Sequence, residues 1–179
     1  MTNIIEFEIE ILDVWGEGRI DYPIGEGRHI TGFHTAYNLN HVDKKIGAGP
    51  NTDKNIPKLI PIDDYDNPKF PIADGKCQYI TSMSSPFYIP TAIESLRVFN
   101  KTPGYGAIYL YGLRDEFIIP VKNLYIGIKI EYNSKEYFLN HRRFKTPESL
   151  PSPFNEIKDS PNYVDIFFFH RGSLPREEL

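Results

Sequence analysis

Apolar and polar residues alternate at period two along residues 5–14 (IEFEIEILDV), which predicts a strand with one face buried. Gly16 and Gly18 interrupt it. Residues 34–46 are free of Gly and Pro, and Gly47 and Pro50 close the stretch, so a helix is expected there. Residues 49–75 are rich in Pro, Asp, Asn and Lys and lack periodicity, the mark of a long and often functional loop. A strand begins at Gln78, Tyr79 and Ile80 and runs into the hydroxyl cluster Thr81, Ser82, Ser84 and Ser85. Residues 90–100 read as a short helix, with Pro90 at its entry and Ile93, Leu96 and Val98 as apolar positions. Residues 107–113, 117–121, 124–132 and 163–169 read as strands, and 173–179 as a loose polar tail. Strands outnumber helices, the helices come early, and neither a repeat nor a linker divides the chain. The pattern predicts one α+β domain over residues 1–179.

Composition narrows the classes. The chain is 40% hydrophobic and 14% aromatic, enough for a core and unlike a disordered segment. A net charge of −4 argues against broad binding to a phosphate backbone, though not against one local phosphate contact. The single cysteine, Cys77, excludes an intrachain disulfide, a thiolate zinc site and a CxxC redox centre. No apolar run reaches the length of a membrane span, and residues 1–13 lack the basic and apolar regions of a signal peptide.

Candidate chemistry is sparse by motif alone. Gly16–Gly18 and Gly25–Gly27 miss the spacing of a nucleotide fingerprint and read as turn glycines. None of His29, His34, His41, His141 and His170 makes an i, i+4 pair, so no metal is expected. A serine hydrolase would need a GxSxG elbow, which the serines at 82, 84 and 85 lack.

A longer ordered set is more informative. Arg19-Ile20-Asp21 is followed by Gly32-Phe33, Thr35-Ala36-Tyr37 and Leu39-Asn40-His41-Val42. Tyr79-Ile80-Thr81-Ser82 comes next, then residues 107–115, and then Lys135-Glu136-Tyr137-Phe138-Leu139-Asn140-His141-Arg142-Arg143. This order of Arg, Ser/Thr and Glu, with the HRR stretch after the glutamate, resembles the mono-ADP-ribosyltransferases of the cholera and pertussis toxin type. The resemblance covers residues 14–150, most of the chain.

The resemblance implies an ADP-ribosyltransferase fold, two small packed β-sheets with an NAD cleft between them and a few short helices. NAD would be the substrate. Glu136 would hold the ribose hydroxyl and stabilise an oxocarbenium-like transition state, with Glu131 as the alternative glutamate. Arg19 would fork onto the pyrophosphate, and Thr81 would hold the Glu136 rotamer. His41, on the early helix, would donate to the cofactor or polarise an acceptor. Asp21, Ser82, Tyr88 and Tyr37 complete the expected NAD contacts, and Ser134 would position the acceptor. Two departures stand out: Met83 replaces the family's third hydroxyl, and Ser134 stands where Glu or Gln is usual. The implied setting is a bacterial toxin or effector acting in a target cell's cytosol on a macromolecule, a protein before a nucleic acid, with an immunity protein or delivery partner. The alternatives are an NAD glycohydrolase and an inactive binding module that kept the fold.

Overall fold

The computed structural model describes residues 3–20, 30–48, 52–156 and 162–172. Asp21 and the polar tail from 173 lie outside the described residues. The acidic alternation forms β1 (Ile9–Val14), and the other strands are β2 (Ala36–His41), β3 (Leu59–Ile62), β4 (Cys77–Met83), β5 (Ala107–Tyr111), β6 (Lys129–Tyr132), β7 (Lys135–Phe144) and β8 (Val164–His170). Two helices, α1 (Ile89–Val98) and α2 (Asp115–Tyr125), complete the described α+β architecture.

All eight strands join one mixed sheet in the order β3-β2-β1-β4-β5-β8-β7-β6, in place of the expected two sheets. Strands β1 to β5 pair in parallel, and β8, β7 and β6 extend the sheet antiparallel. Alternate side chains feed two cores. Leu12, Ile80, Ile108, Leu110 and Phe167 share one apolar cluster with residues of α1 and α2. Ile11, Tyr109, Tyr111 and Ile166 face the other way and are covered by Ile20, Ile30, Leu150 and Phe154. Both faces are thus closed, as a parallel sheet requires. Among the described residues, no helix lies in the connections from β1 to β4.

Three expected elements change type. Residues 34–46 hold β2 and not a helix, because Asn38 and Asn40 are buried between β1 and β3 and bond to Pro57 O and Gly16 O. Residues 117–121 lie inside α2 and not in a strand. Their β-branched residues and Pro120 mimic one, yet Phe117, Ile118, Val121 and Tyr125 make a buried helical face. Of residues 124–132 only 129–132 are extended, after Gly127 turns the chain at φ 88°. The long loop 49–75 contains β3.

Candidate functional site

The parallel strands share one carboxyl edge, formed by Val14, His41, Ile62, Met83 and Tyr111. From β1 the chain builds outward through β2 and β3, then returns to build β4 and β5 on the other side. The loops leaving β1 and β4 therefore run apart, which opens a crevice between them. A cavity of about 350 Å³ lies there, lined by Trp15, Glu17, Asn40, Tyr65, Ser85, Pro86 and Tyr88. Its lining comes from the carboxyl ends of β1, β2 and β4 and from the segment after β3.

Local structure fixes its walls. Gly16 is required by close approach, since a Cβ there would fall 2.3 Å from Asn38 Oδ1 and 2.8 Å from Asp13 O. Its N–H is already shared between Asp13 O and Leu39 O, each at 3.1 Å. Asn40 braces both sides of the cleft. Its amide nitrogen donates to Gly16 O at 2.9 Å, and its Oδ1 accepts from Tyr65 OH at 2.7 Å. Burial raises the Tyr65 phenol above its ordinary value, so it stays a donor at neutral pH. The Tyr65 ring lies 4.7 Å from Trp15 and stacks on His41 at 4.9 Å. The Asp43 N–H donates to His41 Nδ1, which leaves Nε2–H to donate to Asp63 O at 3.0 Å. Among the described residues no Lys or Arg lines the cleft, and the one charged side chain in that lining, Glu17, pairs with Lys44 at 3.0 Å.

The expected site residues divide. Arg19 and Thr81 do meet, but on Asp13. The Arg19 guanidinium donates through Nε and Nη2 to the Asp13 carboxylate, the closest contact being 2.8 Å, and lies 4.6 Å over the Tyr111 ring. The Thr81 hydroxyl donates to Asp13 Oδ1 at 2.7 Å and not to Glu136. All three side chains are buried. Glu136 lies on β7, four strand positions from β1, or roughly 19 Å at about 4.8 Å per strand. It is exposed and pairs with Lys129 at 2.9 Å across the β6–β7 hairpin. Glu131 stands opposite it on β6. Ser134 occupies the left-handed turn of that hairpin at φ 62°, beside Asn133 at 50°. Ser82 is buried beside the helical layer, and Tyr37 packs against Phe7, so neither lines the cleft. Tyr88 does line it, and His41 supports its Tyr65 wall.

Asp13, Trp15, Glu17 and Tyr65 escaped the motif reading, and Asn40 stood within a quoted stretch without a role. One signal for them exists: an acid and a Gly-x-Gly at the end of an apolar strand, Asp13 to Gly18. Nothing local marks Asn40 or Tyr65, which reach the cleft through the parallel pairing of β1, β2 and β3. No protein-family model matches the chain, and no curated protein does either.

Proposed function

We propose that this protein is a group-transfer enzyme whose donor is an adenine nucleoside derivative held at the carboxyl ends of β1, β2 and β4. One observation carries the reading: the cleft at the switch point of the parallel strands is walled by Trp15, Tyr65 and Tyr88, with no cationic side chain among its described lining residues. Open α/β sheets bind nucleotides at this position, an analogy of topology only. Aromatic faces suit a purine. The lack of a cation in the described lining, with the Gly16 amide already bonded and Arg19 committed through Nε and Nη2 to Asp13, favours a donor without phosphates. S-adenosylmethionine has that character, and its sulfonium gains from aromatic faces and a nearby carboxylate such as Glu17. In that transfer an acceptor nucleophile attacks the methyl carbon, the S–C bond breaks and its electron pair stays on sulfur. The chain's task is then alignment of donor and acceptor.

ADP-ribosyl transfer from NAD is the second reading. Its support is that Tyr88 lines the cleft and His41 backs it, two residues expected to serve NAD. The carboxylate facing the ribose would then be Glu17 and not Glu136. A toxin-like setting and a protein acceptor belong to this reading.

Calorimetric titration with S-adenosylmethionine, S-adenosylhomocysteine and NAD separates them, followed by incubation of labelled donors with a cell lysate. The expected result is saturable binding of the two sulfur nucleosides and transfer of a labelled methyl group. Nicotinamide release that survives Glu136→Gln and dies in Glu17→Gln favours the second reading. Binding without turnover marks a binding module. No binding of any of the three sinks the proposal.

A further inference from the structure

Trp15 combines three features that packing alone does not require. It is a non-glycine residue at φ 58°, a left-handed conformation that side chains rarely adopt. Its side chain is buried at 7% exposure, and its indole Nε1 has no hydrogen-bond partner among the described residues. It also lines the cleft, facing Tyr65 at 4.7 Å. Buried indole N–H groups normally find an acceptor, and a phenylalanine would fill the same space without an orphaned donor.

Resting on the nucleoside reading of the cleft, we infer that Trp15 is the residue that reads the ligand, its N–H donating to an acceptor nitrogen on the edge of a nucleobase. A planar heterocycle supplies the two things this slot lacks. It offers a π-face to the exposed Tyr88 ring of the lining and in-plane lone pairs to the indole, and it needs no cation. The arrangement is held from behind by Asn40, which bonds both the Gly16 carbonyl next to Trp15 and the Tyr65 hydroxyl. One buried amide therefore fixes the indole against the Tyr65 ring that backs it.

The chain has a single tryptophan, so its indole gives one cross-peak in a 1H–15N spectrum. Titration with adenosine and with S-adenosylhomocysteine should move that peak downfield with saturation and slow its exchange with water. Trp15→Phe, which keeps the ring and removes the donor, should bind adenosine about tenfold more weakly by calorimetry. Binding by the wild-type protein with an unmoved indole peak overturns the inference and leaves the cleft reading intact. Equal affinity in Trp15→Phe does the same. Failure of the wild-type protein to bind either nucleoside overturns both. Should Trp15→Phe lose its fold by circular dichroism, the wild-type indole signal decides alone.

Discussion

Asp13 is the residue on which the interior of the carboxyl edge is organised. A carboxylate at 2% exposure is costly unless paired, and here it accepts from Arg19 and from Thr81. Because Arg19 follows the Gly16–Gly18 turn, this pair ties the loop that carries Trp15 and Glu17 back onto the sheet. The Arg19 guanidinium still has one buried nitrogen, Nη1, without a partner. Removing the cation should nonetheless do more harm than loss of a surface ion pair, because a buried carboxylate is left behind. Arg19→Met is expected to lower stability by about 3–5 kcal/mol, leaving Asp13 buried and uncompensated, and Asp13→Asn in the same background should restore part of it. Urea denaturation of the two variants measures both. A loss below about 1 kcal/mol for Arg19→Met would mean that Asp13 reaches water and that the pair is not a clamp.

At the level of elements, α2 lies on the helical side of the antiparallel half, packed against the same core as Leu139 of β7 and Phe167 of β8. Asp165 of β8 is fully buried there. It accepts from His141 Nε2 at 2.6 Å and, in a two-pronged contact, from Arg143 at 3.0 Å for each prong. The Arg143 guanidinium also lies 4.1 Å over the Tyr163 ring. Burial alone would raise the Asp165 carboxyl, but the hydrogen bonds from His141 and Arg143 outweigh it and hold the group below its ordinary value. A carboxyl lowered by folding adds stability that is complete above its unfolded value, about 3.9, and is lost as pH falls through the folded one. Stability measured by urea midpoint should thus decline below about pH 5 as Asp165 takes up a proton. Asp165→Asn should flatten that part of the profile while lowering stability at neutral pH. An unchanged acid limb in Asp165→Asn would assign the acid sensitivity to another group.

Among the described residues the eight strands form one sheet whose parallel half is covered on both faces, and the chain's single cysteine reports on that closure. Cys77 is fully buried, and burial pushes its thiol up to about 12, with Arg97 a smaller opposing influence. A small thiol reagent at pH 7.5 should label it only as fast as the sheet opens globally, and the rate should climb with urea in step with the unfolding free energy. Labelling that is fast in native buffer would place β4 in a locally opening unit.

Much of the fold could be read from the chain. Period two in β1, the apolar run of β5 and β8, and the proline entry to α1 are local patterns, and each gave the right element. The elements misread were those decided by neighbours. Residues Ala36–His41 are extended because a slot beside β1 accepts two buried asparagines, and residues Asp115–Tyr125 are helical because four apolar side chains find one surface. The candidate site was less legible still. Arg19 and Thr81 were each singled out, but for other partners; their common partner Asp13 lies 68 positions from Thr81, and only parallel pairing of β1 with β4 joins them. The same strand order sets Glu136 on a remote hairpin. Local sequence thus determined which residues are apolar, turn-forming or charged, and with them most strands and one helix. Long-range pairing alone decided which polar groups share a cleft, because a parallel sheet brings together loop ends that lie far apart along the chain.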